Sequence, residues 1–247
     1  DRRSLASMRD VFARLKRWEP YFDGSRSAAQ VALVYARYTQ DKYGGEKTAS
    51  RYLDAVRGFY CALLEAHVPF DVVSDKFLTD EALARYRVLV LPNLACIDDK
   101  DAAAIERFVN AGGSIVATFD SGLRTRDGAA RKTGAFAGMF GVDVVGRRTD
   151  LKSSYARIED AKDPLLAGIG DTDLIPNEGA LLEVKARAGR SVPLTLIPPV
   201  IAHSGATISI PEYSAIRATT DVPVAVHGTH GKGRTVYFAN AMDALFY

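Results

Sequence analysis

The stretch that decides the fold is GGSIVATFDSG, at residues 112–122 of this 247-residue chain. The paired glycines Gly112 and Gly113 are typical of a helix end, and the apolar, β-branched run after them predicts a short strand covered on both faces. In α/β hydrolases the residue just past such a strand is often the nucleophile, held on a strained turn. Here that position holds Asp120 or Ser121, with neither a cysteine nor a G-x-S-x-G motif. The stretch therefore predicts the scaffold of an enzyme whose nucleophile follows a strand, but without a suitable nucleophile at that position.

Strands and helices alternate through the first half of the chain. Apolar strands are predicted at residues 30–35, 70–73, 88–91 and 114–119, with helices between them at about 48–67, from 79, and from 98 to 111. Alternating elements with short connections predict an α/β fold with a parallel, doubly wound sheet. Ligands on such sheets bind beyond the carboxyl ends of the strands.

The second half of the chain follows a different pattern. Prolines divide residues 142–222 into short apolar pieces, which we interpret as a β-rich insertion grafted onto the sheet. The apolar runs at 222–227 and 234–238 flank a glycine-containing turn and predict a hairpin that closes the domain.

The amino-terminal residues predict a separate element. Apolar residues recur at three- to four-residue steps in 4–18 and form one stripe of an amphipathic helix: Leu5, Met8, Val11, Phe12, Leu15 and Trp18. Pro20, Gly24 and two serines then form a linker. We therefore divide the chain into a connector helix and linker at 1–27 and a main domain at 28–247. The helix is expected to dock on this domain or on a partner.

Composition narrows the class of protein. The chain is 47% hydrophobic and carries 32 basic and 30 acidic residues, a net charge of +2, which favours neither nucleic acid nor an anionic membrane as partner. No apolar run approaches the ~20 residues of a membrane span, and no signal peptide is recognised at the start. The two cysteines, Cys61 and Cys96, are too few for a disulfide framework, which favours a reducing cytoplasm.

Polar side chains follow the predicted strands at the points where the strands end. Because the carboxyl ends of parallel strands meet at one edge, these side chains are expected to lie close together. They are Tyr35, Arg37, Tyr38, Asn93, Asp120, Ser121, Asn240 and Asp243. Two interpretations stay open: the side chains satisfy one another, for example Arg37 with Asp120, or they form a ligand-binding cleft or an interface rim.

Metal and cofactor motifs are missing from the sequence. There is no H-E-x-x-H, C-x-x-C or P-loop, so no metal and no cofactor is predicted. His227 and His230 bracket the hairpin turn and are interpreted as surface turn residues, while His203 lies in a loop without an assigned partner. Cys96 follows a strand and is expected at most to line a cleft.

A family resemblance emerges from several segments taken in order. They are VALVY at 31–35, RYT at 37–39, YGG at 43–45, RGFYCALL at 57–64, PFDVV at 69–73, VLVLPN at 88–93, GGSIVATF at 112–119, GKGRTVYF at 231–238 and DALFY at 243–247. Together they resemble the β-galactosidase trimerisation domain over about residues 28–247. The resemblance implies a flavodoxin-like sheet similar to class I glutamine amidotransferases.

The resemblance also implies a role. In that family the domain follows a catalytic (β/α)₈ barrel of family 42 and related glycoside hydrolases. It is implied to be a non-catalytic accessory domain that supports a homo-oligomer, trimer or dimer, with a carbohydrate near the interface. The helix at 4–18 would be the connector from that barrel, and no catalytic residue of the glycosidase would lie in this chain.

Two alternatives of other classes remain. An independent small-molecule hydrolase would need Ser121 activated by a base within hydrogen-bond reach. A sugar-binding module would use Tyr35, Tyr38, Tyr43 and the polar rim.

Overall fold

A nine-stranded mixed sheet organises the protein. The computed structural model describes residues 2–149, 151, 154–169, 172–199 and 219–246. Within those residues the strands are β1 Val31–Tyr35, β2 Phe70–Ser74, β3 Val88–Leu91, β4 Cys96–Ile97, β5 Ser114–Thr118, β6 Arg124–Thr125, β7 Val142–Arg148, β8 Ser154–Ile158, β9 Leu174–Asn177, β10 Leu181–Ala186, β11 Ser191–Ile197, β12 Pro223–His230 and β13 Gly233–Phe238. The central sheet has the order β2-β1-β3-β5-β13-β12-β11-β8-β9.

Helices connect the strands of the first half. They are α1 Arg2–Phe22, α2 Asp54–Glu65, α3 Asp80–Leu83, α4 Asp99–Ala111, α5 Ala137–Phe140 and α6 Met242–Leu245. The predicted helix at 48–67 is divided, because π-helical and 3₁₀ turns at 39–53 precede α2. None of the helices in the described residues is both long and apolar enough to cross a bilayer.

The parallel half of the sheet confirms the prediction made from alternating elements. β2, β1, β3, β5 and β13 all pair in parallel. In order of appearance along the chain this arrangement is 2-1-3-4-5, one of the common orders of doubly wound sheets. Its carboxyl edge lies where β1, β3, β5 and β13 end, so the loops after those strands meet there.

Local sequence signals determine where α4, the helix before β5, begins and ends. The side chain of Asp98 accepts a hydrogen bond from the Lys100 N–H at 3.3 Å and caps α4. Gly112 ends that helix with φ of 120°, a conformation that favours glycine. The chain then enters β5, where Ile115 and Ala117 are fully buried. The helix stop and the buried strand predicted from residues 112–119 are both confirmed.

The other half of the sheet is antiparallel. β13 pairs with β12 as the predicted hairpin, and β11, β8 and β9 continue the sheet outward. β7 and β10 form a separate two-stranded sheet. Residues 142–197 therefore supply strands, as the β-rich pattern predicted. His203 lies outside the described residues.

The helix α1 extends beyond its predicted bounds at both ends. All residues from 4 to 28 are exposed, including the stripe residues Leu5, Phe12 and Leu15. Of the two docking possibilities predicted for this helix, docking of the stripe on this domain is not seen, because no described residue buries the stripe residues.

Gly58 lies where α2 packs against α6. A Cβ atom at this position would stand 1.8 Å from the carbonyl oxygen of Asp243. Gly58→Ala is expected to lower the free energy of unfolding by about 2 kcal/mol, because the displaced backbone outweighs the better helix propensity of alanine. Gly138 is a matched control, since a Cβ on this α5 residue meets nothing within 4 Å. Gly138→Ala should leave stability unchanged or slightly higher in the same denaturant titration, and equal losses in both variants would contradict the packing argument.

Candidate functional site

The residue in the strained conformation after β5 is Phe119. Its φ is 45°, a value that a bulky residue adopts only under constraint. Its N–H donates to the carbonyl of Phe238 at 2.8 Å, and its own carbonyl accepts from the Tyr237 hydroxyl at 2.6 Å. The prediction that Asp120 or Ser121 occupies the nucleophile position is therefore wrong by one or two residues. A buried phenyl ring, which has no nucleophilic atom, stands there instead.

Ser121 is held by the backbone around it. Its hydroxyl donates to the Thr118 carbonyl at 2.7 Å and accepts from the Leu94 N–H at 3.0 Å. In the described part of the chain no histidine or carboxylate forms a hydrogen bond with its hydroxyl. The side chain stabilises the turn, and the base that the hydrolase hypothesis requires does not reach it.

Asp120 is the buried charge of the site. Its side chain is 3% exposed, and Arg147 of β7 forms an ion pair with one of its oxygens. The Tyr43 hydroxyl donates to the other oxygen at 2.8 Å. Burial, followed by the charge of Asp120, raises the pKa of Tyr43 to about 12. Tyr43 is therefore a neutral hydrogen-bond donor at any physiological pH.

Arg147 covers both residues of the turn. Its guanidinium carbon lies 4.8 Å from the centroid of the Phe119 ring while the same group pairs with Asp120. The predicted pairing of Arg37 with Asp120 is wrong. Arg37 is exposed and lies 3.6 Å from Asp41, one helical turn further along the chain.

Thr118 joins the ends of three strands. Its hydroxyl accepts the Asn93 N–H at 2.8 Å and donates to the carboxylate of Asp243. Asn93 has φ of 41°, a left-handed conformation that asparagine tolerates, and its amide donates to the Arg51 carbonyl at 2.8 Å. Burial raises the pKa of Asp243 to about 6. Asn93, Ser121 and Asp243 thus lie in one network around Thr118.

The remaining candidates have other partners. Tyr35 donates to the side chain of Gln40, and the Tyr38 N–H donates to Asp75 at 3.1 Å. The side-chain amide of Asn240 donates to Asn177 at 2.5 Å, in a buried cluster that includes Ser154. The eight residues of the predicted rim therefore form several clusters rather than one.

A cavity of about 370 Å³ opens beside Asp120. Apolar and charged side chains line it, among them Leu123, Arg124, Arg131, Lys132, Phe136, Val144 and Arg147. The sequence signal for this wall is the run of charged residues at 124–132. Arg147 was missed because it belongs to the insertion, whose placement over the sheet edge leaves no local signal.

Two of the histidines each pair with one carboxylate. His227 lies 2.7 Å from Asp163, and His230 lies 3.0 Å from Glu106. Among the described residues no three histidine, cysteine or acidic side chains are grouped to hold a metal ion. Burial raises the pKa of the Cys96 thiol to about 11, which keeps it protonated and unreactive.

The fold defines a mixed α/β domain with a large, mostly parallel central sheet, and Phe119 holds the strained turn after β5. The sequence pattern of the beta-galactosidase trimerisation domain matches residues 29–247, and the chain belongs to that family.

Several known proteins are similar to this chain in sequence or in fold. Beta-galactosidase BgaA of Planococcus sp. strain 'SOS Orange' is 24% identical over 225 residues, covering 90% of this chain and 30% of that protein. Among solved structures, the beta-galactosidase of Bacillus circulans sp. alkalophilus superimposes with a TM-score of 0.64 at 19% identity, covering 90% of this chain and 30% of the other. Alpha-L-fucosidase isoenzyme 2 of Paenibacillus thiaminolyticus has a TM-score of 0.62 at 19% identity, with 95% and 32% covered. This chain thus spans about a third of the length of these proteins.

Proposed function

We propose that this chain is a non-catalytic accessory domain that supports homo-oligomerisation of a glycoside hydrolase of beta-galactosidase type. One observation carries the non-catalytic part: Phe119 fills the strained position after β5, and Arg147 lies over its ring. Family membership supports the oligomeric part. We place the protein in the cytoplasm, with neither nucleic acid nor membrane as a partner, in keeping with its nearly balanced charge.

We also propose a specific class for the fold. A flavodoxin-like sheet of class I glutamine amidotransferase type is supported by the 2-1-3-4-5 order of the parallel strands and by the strained turn after the fourth of them. On this proposal, the turn is a nucleophile elbow whose reactive residue is replaced by phenylalanine.

The parent protein is proposed to carry its catalytic domain before residue 1. Relatives are about three times the length of this chain, which leaves room for such a domain. In this arrangement α1 is the connector, and its exposed apolar stripe packs on the preceding domain, since the described part of this domain leaves the stripe uncovered.

The face that contacts another copy is proposed to be the β2 edge of the sheet. Among the described strands β2 pairs on one side only, and Val72 on this strand is 54% exposed. Tyr60 and Leu64 of α2 and the nearby Phe77 are also exposed apolar residues. Unpaired strand edges with apolar neighbours are typical association surfaces. A carbohydrate near this interface remains part of the proposal.

Sedimentation velocity on the 247-residue chain tests the assembly. The mass is expected to rise from one chain towards two or three over micromolar concentrations, and a strict monomer would contradict the proposal. Val72→Lys should weaken association at least tenfold, because a lysine on an edge strand blocks strand addition. Val145→Lys, at an exposed position of β7, is the matched control and should leave association unchanged.

An aryl galactoside assay of the same preparation tests the catalytic part. No turnover above the buffer rate is expected, because glycoside hydrolysis needs two available carboxylates, and those at the cavity, Asp120 and Asp143, are each paired with an arginine. Turnover that survives further purification would show that this chain is an enzyme in its own right.

A further inference from the structure

We propose that the cavity beside Asp120 binds a small organic oxyanion, a carboxylate or phosphate monoester carried on a body of sugar size. This inference goes beyond the proposed function, since it concerns a ligand and not assembly. The cavity lies beyond the carboxyl end of β5, where doubly wound sheets hold their ligands. Its volume of about 370 Å³ suits a small molecule.

The carboxylates that line the cavity are already neutralised. Asp120 is paired with Arg147, and Asp143 is paired with Arg187 at 2.6 Å. Neither carboxylate therefore presents a full negative charge to an incoming anion. The side chain of Tyr43 also donates its hydroxyl hydrogen to Asp120, which spreads that charge further.

Two cations remain in excess at the cavity wall. Arg124 donates one N–H to the Gly128 carbonyl at 2.9 Å and has its guanidinium carbon 5.5 Å from the centroid of the Tyr43 ring. No carboxylate pairs with it in the described part of the chain. Lys132 is exposed and has no described ion pair or hydrogen bond. Arg131 is not counted among them, because it pairs with Asp99 and donates to the Ile97 carbonyl at 2.9 Å.

The chemistry of these groups selects the ligand. A guanidinium and an ammonium at the cavity match the oxygens of a carboxylate or phosphate. Apolar side chains also line the cavity: Leu123, Phe136, Phe140, Val142 and Val144. These apolar side chains cover the less polar part of the ligand, the part that carries the carboxylate or phosphate group. A neutral sugar would leave the excess positive charge uncompensated.

Isothermal titration calorimetry on the full chain tests the site with three probes: galacturonate, galactose 6-phosphate and galactose. Saturable binding of at least one anionic probe is expected, with an affinity that falls as salt is added, and galactose should bind at least tenfold more weakly. The two anionic probes distinguish a carboxylate site from a phosphate site. The absence of saturable binding by both anions at millimolar concentration would overturn the inference, as would galactose binding equally well.

Variants locate the binding site. Lys132→Ala and Arg124→Gln should each weaken binding of the anionic probe about tenfold, the loss expected for one charge-assisted hydrogen bond. Lys232→Ala is the matched control, because this exposed lysine precedes β13 at the opposite edge of the sheet. Unchanged affinity in both cavity variants, with melting curves like that of the parent chain, would overturn the assignment. Sedimentation of the same variants separates this outcome from a failure of the oligomerisation proposal.

Discussion

Arg147→Met is expected to lower the free energy of unfolding by about 3 kcal/mol, because it leaves the carboxylate of Asp120 buried without its cation. The side chain of Asp120 is 3% exposed, and Arg147 is the only cation among the described residues that forms an ion pair with it. Methionine keeps most of the stem that covers Phe119, which separates loss of charge from loss of packing. The hydrogen bond from Tyr43 remains and limits the loss to the lower part of the range for broken buried pairs.

The neighbouring residue in β7 gives a matched control. Arg148 pairs with Glu183, whose side chain is 28% exposed, so Arg148→Met should cost about 1 kcal/mol or less. The double variant Arg147→Met, Asp120→Asn should regain much of the stability, since it removes the buried charge together with its partner. Urea titrations of the three variants measure these differences. Equal losses for the two single arginine variants would show that the Asp120 charge is not what Arg147 stabilises.

The stability difference between the protein and its Asp243→Asn variant is expected to change by about 3 kcal/mol from about pH 3 to about pH 8. Burial raises the pKa of Asp243 from 3.8 to about 6, so the folded state holds this proton more tightly than the unfolded state. The native protein is therefore favoured most below about pH 3.8, and that contribution is lost as the pH rises through about 6. The difference between the two proteins isolates this change, because all other groups titrate in both.

Asp163 supplies a control of opposite sign. Burial alone would raise the pKa of Asp163, but hydrogen bonds from His227, the Leu165 N–H and Ser191 outweigh it and hold the pKa below its usual value. The contribution of Asp163 is thus present at neutral pH and is lost as the pH falls through the lowered value. Stability differences of Asp163→Asn and Asp243→Asn from the parent should slope in opposite directions with pH. A flat curve for Asp243→Asn would refute the linkage.

The parallel sheet was predictable because its evidence is local. Each of the strands β1, β2, β3 and β5 is a short apolar run, and each helix between them carries its own cap, stripe or stop, as Asp98 and Gly112 do for α4. Alternation then determines the parallel pairing, since a strand followed by a helix returns in the same direction. The hairpin of β12 and β13 was predictable for the same reason.

The site was predictable only in outline. Topology placed Asn93, Ser121 and Asp243 at the same edge, and they do share the network around Thr118. Which residue would adopt the strained φ was not predictable, because it depends on where the backbone of β5 meets Phe238 and Tyr237. The prediction placed Asn240 beside the other rim residues, but its hydrogen-bond partner is Asn177, which belongs to the insertion.

The sequence alone determined that the strands alternating with helices form a parallel sheet, the edge to which their polar ends point and the lack of a cysteine or serine motif after β5. Tertiary structure alone decided that Phe119 holds the strained position and that Arg147, rather than Arg37, neutralises Asp120. The physical reason is how far apart the interacting residues lie along the sequence. Periodicity and capping act between residues a few positions apart, whereas a buried charge is neutralised by whichever cation the packing of the whole chain brings to it, here from the β-rich insertion.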